Sequence, residues 1–194
     1  MSTAVILAGG LSSRMGFDKQ QLIFNDELLL KKQIIILSDL FDHIIIVSNN
    51  HKSHMFLEYA KVSIYKDIIK GCGPLSGIHA GLTYSHDEFI YVIACDMPYI
   101  NCEYIKYMQL QLKHQEGIVT RYGDWIEPFH AFYNRSLIKD IEDYLRSGKR
   151  SIYKLLGGKN ITYISEETAR TFSEDWSLFD NINTKQDLNN NSVI

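Results

Sequence analysis

Ala4-Val5-Ile6-Leu7-Ala8-Gly9-Gly10-Leu11-Ser12-Ser13-Arg14-Met15-Gly16-Phe17-Asp18-Lys19 decides how this chain is read. Four apolar residues of strand length open into a glycine-rich loop that carries one arginine and one lysine. Glycine lets backbone N–H groups approach a ligand with no side chain in the way. Arg14 and Lys19 then stand where the negative charge of a nucleotide tail falls. The loop is not a Walker A loop, because no Gly-Lys-Ser/Thr closes it, and it does not match Gly-x-Gly-x-x-Gly. The plain alternative is a strand-to-helix turn with two solvated cations.

Outward from this loop, apolar runs of strand length recur at 4–7, 44–47, 62–65, 89–94, 118–120, 131–133 and 161–164. Segments of helical period occupy 28–40, 52–59, 75–84, 102–114, 136–145 and 151–156. Near-continuous strands such as Ile44-Ile45-Ile46-Val47 mean burial on both faces, as in a parallel sheet covered by helices. The alternation predicts an α/β chain with a mostly parallel central sheet and helices on both faces. Pro128 holds Glu127 extended, and 125–129 is read as a turn between two strands. Thr184-Lys185-Gln186-Asp187 has the form of a capping box opening a short last helix.

In such sheets ligands sit beyond the carboxyl ends of the strands, so the residues just after strands matter most. Asp96, in Ile93-Ala94-Cys95-Asp96-Met97-Pro98, ends a buried apolar strand, where a carboxylate is costly unless a positive partner meets it. Mg²⁺ fits, since it takes one or two carboxylates together with phosphate oxygens and waters. A helix N-cap near Asn101, or an arginine partner, are the alternatives for Asp96. Asp67 again follows a strand, ahead of Gly71-Cys72-Gly73-Pro74-Leu75-Ser76-Gly77-Ile78. Pro74 suits the first turn of a helix whose open N–H groups can face an anion. A solvated loop carboxylate and a tight turn remain the bland readings there.

The 194 residues carry no internal repeat, so a single domain spanning 1–194 is expected, burying roughly 70% of its unfolded surface. A net charge of −3 argues against a nucleic-acid-binding face. No secretory leader and no stretch of membrane-crossing length stand out. Cys72, Cys95 and Cys102 have no Cys-x-x-Cys spacing, which points away from a disulfide framework or zinc site and toward a reduced cytoplasmic protein.

Taken together, Leu7-Ala8-Gly9-Gly10-x-Ser12-x-Arg14-Met15-Gly16-x-x-Lys19, Asp67, Gly73-Pro74-Leu75-x-Gly77-Ile78 and Cys95-Asp96-Met97-Pro98 resemble the molybdenum cofactor guanylyltransferase (MobA) family of nucleotidyltransferases. Pro128-x-His130-Ala131 and Asn181-x-Asn183-Thr184 agree with it as well. The resemblance implies a three-layer Rossmann-like nucleotidyltransferase fold and transfer of GMP from GTP to the terminal phosphate of molybdopterin. It implies that Leu7, Ala8, Gly9 and Gly10 meet the nucleotide, that Lys19 and Arg14 offset phosphate charge, that Asp67 contacts the nucleotide, and that Asp96 holds Mg²⁺. The partners implied are GTP, molybdopterin, cofactor-delivery proteins and target molybdoenzymes. His130, Trp125, Arg150, Asn181 and Asn183 are candidates for the pterin half. Some members carry a nucleotide-contacting Asn where Val47 stands here, a departure from the pattern that leaves Asn49 or Asn50 as the residues that could take that contact. The competing readings are a molybdopterin cytidylyltransferase or sugar-phosphate nucleotidyltransferase of the same fold, and a non-catalytic nucleotide-binding module.

Overall fold

The leading apolar run becomes β1 (Thr3–Leu7), every residue of which is buried. A computed structural model describes residues 2–9, 19–50, 56 and 58–182. After the loop, a 3-10 turn (Lys19–Gln21) leads into a small hairpin of β2 (Ile23–Phe24) and β3 (Glu27–Leu28). Then come α1 (Leu29–Ser38), β4 (His43–Val47), β5 (Val62–Tyr65), α2 (Pro74–Tyr84), β6 (Phe89–Ala94) and α3 (Cys102–Leu110). The remainder is β7 (Gly117–Tyr122), β8 (Trp125–Asn134), α4 (Leu137–Arg146), α5 (Ile152–Leu156), β9 (Ile161–Ile164), α6 (Glu166–Arg170) and a 3-10 turn (Ser177–Phe179).

Seven strands form one sheet in the order β5-β4-β1-β6-β8-β7-β9. Pairing is parallel from β5 through β6 and between β7 and β9, and antiparallel on both sides of β8. Helices cover both faces, as expected. Alternate residues of β1 go to opposite cores: Ala4 and Ile6 pack with Ile34, Leu37, Tyr104 and Met108, whereas Val5 and Leu7 pack with Leu75, Ile78 and Ile141. The period-2 geometry of a strand dictates this split. Glycine lets α2 lie close on β1. A Cβ at Gly81 would come within 2.8 Å of Val5 Cγ1, and one at Gly77 within 2.8 Å of Leu7 Cδ2.

Residues 125–129 are not a turn. They form the first half of β8, paired Tyr122↔Trp125, Arg121↔Ile126 and Thr120↔Glu127, so the hairpin closes at Gly123-Asp124. Gly123 takes φ +56°, the freedom such a two-residue turn uses. Pro128 is tolerated because the β7–β8 register shifts beyond Glu127, leaving no ladder hydrogen bond to lose. The two short strands β2 and β3 and the helix α6 were not expected. The segment 52–59 lies mostly, and the capping box at 184–187 wholly, outside the described residues. No described helix is long and apolar enough to cross a membrane.

Candidate functional site

The chain runs outward from β1 to β4 and β5, then returns to the other side of β1 as β6. Such a reversal opens a crevice at the carboxyl ends of the central strands. Register makes the crevice specific. Ala94, Leu7, Val47 and Tyr65 stand abreast on β6, β1, β4 and β5. Two residues further along each chain stand Asp96, Gly9, Asn49 and Asp67. With strands about 4.8 Å apart, that row reaches about 14 Å from Asp96 to Asp67. The ladder continues past the strand ends, through Ala8 N to Val47 O at 2.9 Å, Ser48 N to Tyr65 O at 2.8 Å and Cys95 N to Leu7 O at 3.1 Å.

Two hollows share Leu7, Gly9 and Pro74 as a common wall. One, of about 340 Å³, is also lined by Val47, Asn49, Asp67, Gly71, Gly73 and Gly77. The other, of about 250 Å³, is lined by Ala94, Cys95, Asp96, Phe129 and Asn181. Gly73 sits at φ +70° before Pro74, and α2 has no side-chain cap at this end. Pro74 brings no N–H and Ser76 N donates to Gly73 O at 3.0 Å, so Leu75 is the first residue of α2 whose N–H has no acceptor inside the helix. A larger groove of about 440 Å³, lined by Lys32, Tyr99, Asn101 and Phe172, lies off this row.

On the 340 Å³ side Asn49 and Asp67 bind each other. Asn49 Nδ2 donates to Asp67 Oδ2 at 2.8 Å, and Asp67 N donates to Asn49 Oδ1 at 3.3 Å. Burial raises the Asp67 pKa above its ordinary value, and the Asn49 hydrogen bond pulls it part of the way back. Of the two asparagines offered by sequence, Asn49 is the one paired with Asp67. Asn50 N donates instead to Ser48 Oγ at 3.0 Å. Ser48 Oγ also accepts from Gln20 Nε2 at 2.6 Å, and the same Nε2 donates to Ala8 O at 2.9 Å. Gln20, buried and passed over in the sequence, thus ties the returning end of the glycine loop to the ends of β1 and β4. Lys19 is its immediate chain neighbour, at the start of the 3-10 turn. Gly10 and Arg14 lie outside the described residues.

On the other side Asp96 is 6% exposed. Its turn is held by backbone and by α1: Gln33 Nε2 donates to Ala94 O and Met97 O, both at 2.9 Å, and Ile182 N donates to Asp96 O at 2.8 Å. Asp96 is not the cap of α3, because Asn101 Oδ1 accepts from Tyr104 N. No group of three His, Cys, Asp or Glu side chains suited to a metal occurs among the described residues. A buried carboxylate beside such a hollow suits an ion that takes its other ligands from phosphate and water.

The pterin-half candidates separate. Asn181 lines the Asp96 hollow. Trp125 stands 74% exposed at the start of β8, the end of that reversed strand nearest the carboxyl edge. Arg150 is spent on Leu145 O and Lys149 O, at the end of α4. Asn183 lies outside the described residues.

His130 is fully buried, at φ +51°, with Nδ1 and the Tyr91 hydroxyl 2.5 Å apart. Burial pushes its pKa down to about 3, the Tyr99 backbone countering only part of that. The native imidazole is therefore neutral where the unfolded one, near 6.5, is charged. As pH falls below 6.5 the unfolded state binds a proton that the native state refuses, and stability drops by about 1.4 kcal/mol per pH unit until about pH 3. His130→Asn, which tolerates a positive φ, is expected to flatten this acid limb by one proton. Urea midpoints between pH 4 and 7 read it, and equal slopes in both proteins would rule it out.

The MobA-like NTP transferase domain family matches residues 4–162. A probable molybdenum cofactor guanylyltransferase of Peptoclostridium acidaminophilum is 50% identical, covering 99% of this chain and 89% of its own length. The molybdenum cofactor guanylyltransferase of Syntrophotalea carbinolica is 47% identical over 96% of this chain and 88% of its own. Among solved structures, molybdopterin-guanine dinucleotide biosynthesis protein A of Archaeoglobus fulgidus superposes with a TM-score of 0.82 at 26% identity, covering 97% of this chain and 96% of that one. A 4-diphosphocytidyl-2C-methyl-D-erythritol synthase of Anaerococcus prevotii, at 14% identity and TM-score 0.72, shares the fold.

Proposed function

This chain belongs to the MobA-like NTP transferase family, and from that premise we propose that it transfers GMP from GTP to the terminal phosphate of molybdopterin at the carboxyl edge of its sheet. The supporting observation is the register-aligned row Asp96, Gly9, Asn49 and Asp67, with one hollow on either side of Gly9. In this reading the base and ribose occupy the Asn49–Asp67 hollow, near the backbone of Leu7, Ala8 and Gly9. The phosphates cross the shared wall of Leu7, Gly9 and Pro74 toward Asp96. The row's length of about 14 Å matches an extended nucleotide, at three strand spacings.

The chemistry is an in-line displacement. An oxygen of the acceptor's terminal phosphate forms a bond to the α-phosphorus of GTP, the bond from that phosphorus to the α–β bridging oxygen breaks, and pyrophosphate leaves with the electron pair. The attacking oxygen is already ionised, so the chain needs to supply no nucleophile. Its work is positioning and charge compensation. Lys19, Arg14 and the glycine-loop N–H groups, with the open end of α2, oppose the charge that grows on pyrophosphate. Asp96 is the residue that would hold Mg²⁺, which when bound neutralises and polarises the reacting phosphates. Asn181 and Phe129, on the Asp96 side, border the space left for the acceptor. The reading treats the chain as a single catalytic unit in the cytoplasm, where thiols such as buried Cys72 and Cys95 stay reduced.

The test is pyrophosphate release with molybdopterin, Mg²⁺ and either GTP or CTP. Release with GTP, and at least tenfold less with CTP, is expected. A preference for CTP would move the chain to the cytidylyl reaction, and no release with any nucleotide would end the enzymatic reading.

A further inference from the structure

Among the described residues, Asp67 is gripped on one carboxylate oxygen and not on the other. Asn49 holds its Oδ2 and, through Asn49 Oδ1, its backbone N–H, so both the position and the roll of the carboxylate are set by one exposed side chain. Oδ1 has no hydrogen bond to another described residue, and the pair lines the 340 Å³ hollow. Val47, abreast of Leu7 at the end of β4, offers that hollow only apolar surface.

We propose that Asn49 is a positioning residue that confers guanine selectivity, turning the Asp67 carboxylate to accept from both N1–H and the 2-amino group of the base. This rests on the placement of the base argued above. An ionised carboxylate only accepts, and guanine presents two adjacent donors on that edge. Hypoxanthine presents N1–H alone, and xanthine presents N1–H beside a carbonyl. Adenine and cytosine present a ring-nitrogen acceptor there. A carboxylate free to rotate would still attract N1–H but would meet the second donor only part of the time. The half-burial that raises the Asp67 pKa also makes its hydrogen bonds harder to replace with water.

The grip has a direction that can be tested. In Asp67→Asn, Asn49 Nδ2 still requires an acceptor, so it captures the new amide oxygen and leaves the amide NH₂ toward the base. That NH₂ matches the xanthine carbonyl and opposes the guanine amino group. The wild-type protein is expected to favour GTP over ITP by about 10- to 100-fold in kcat/KM, the scale of one hydrogen bond to a charged group. Asn49→Ala should shrink the ratio to within about threefold, through loss on the GTP side. Asp67→Asn should favour XTP over GTP, and Asn49→Ala/Asp67→Asn should lose that preference, because nothing then orients the amide.

Dissociation constants for the three nucleotides, taken by displacement of a fluorescent GTP analogue, give the same ratios without the acceptor. Wild-type GTP binding with an unchanged GTP-to-ITP ratio in Asn49→Ala overturns the positioning role alone. So does an XTP preference that survives in the double variant. Failure of the wild-type protein to bind GTP at all overturns the nucleotide reading of the cleft, and this role with it. Asn49 is exposed, so its alanine variant should melt within a few degrees of the parent, which separates specificity from folding.

Discussion

Asp96→Asn is expected to remove guanylyl transfer, lowering kcat by at least about 10³-fold, while the protein melts where the parent does. The loss has this scale because the carboxylate is the charged group at the Asp96 end of the register row. A charge-compensating group at a displacement centre contributes several kcal/mol to the transition state. An amide of the same shape keeps an oxygen there but loses the formal charge, so Mg²⁺ held by Asp96 would no longer be retained against its hydration shell. The fold should tolerate the change because the backbone of the turn has holds of its own. Gln33 binds the carbonyls of Ala94 and Met97, Cys95 N donates to Leu7 O, and Ile182 N donates to the Asp96 main-chain carbonyl. Pyrophosphate release across a Mg²⁺ titration, with a thermal melt alongside, measures both halves. Unchanged Mg²⁺ dependence in the variant would remove Asp96 from the metal site.

Much of this architecture is legible in the sequence because parallel sheets are buried on both faces. Ile44-Ile45-Ile46-Val47 and Phe89-Ile90-Tyr91-Val92-Ile93-Ala94 are recognisable as central strands without their neighbours. The placement of Asp67 and Asp96 follows from the same fact, since a carboxylate directly after such a strand falls at the carboxyl edge. What escaped was set by partners distant in sequence. The extended state of residues 125–129 depends on pairing with Thr120, Arg121 and Tyr122, and a local reading of Pro128 pointed to a turn. The two-residue connection Gly123-Asp124 was the overlooked hairpin signal. Gln20 and Gln33 are polar residues with no motif around them. Their roles appear only once Ala8, Ser48, Ala94 and Met97 are brought to their amides. That Asn49, rather than Asn50, pairs with Asp67 follows from the β4–β5 register, which sets Asn49 level with Asp67.

Lys19→Ala should lower kcat by about 10²–10³-fold, with a much smaller change in GTP affinity. The chain at position 19 is tethered through the next residue. Gln20 is buried, and its amide is shared between the carbonyl of Ala8 and the hydroxyl of Ser48, one position past β1 and β4 respectively. The backbone at position 19 therefore starts from the same edge as Gly9 and the N-terminal end of α2. In the ground state the triphosphate charge is already shared among solvent, metal and backbone. Charge accumulates on the β-phosphate only as the bond to the α–β bridging oxygen breaks. An ammonium there would act mainly on that developing charge, and interactions realised chiefly in the transition state appear in kcat rather than in binding. Lys19→Arg keeps the charge but spreads it over a planar fork of different reach, so its rate should fall between alanine and wild type. Steady-state rates of pyrophosphate release, with GTP dissociation constants measured separately, make the distinction. An alanine variant turning over within threefold of wild type would show that the charge on pyrophosphate is met by other groups. A loss confined to GTP affinity would make Lys19 a ground-state binding residue.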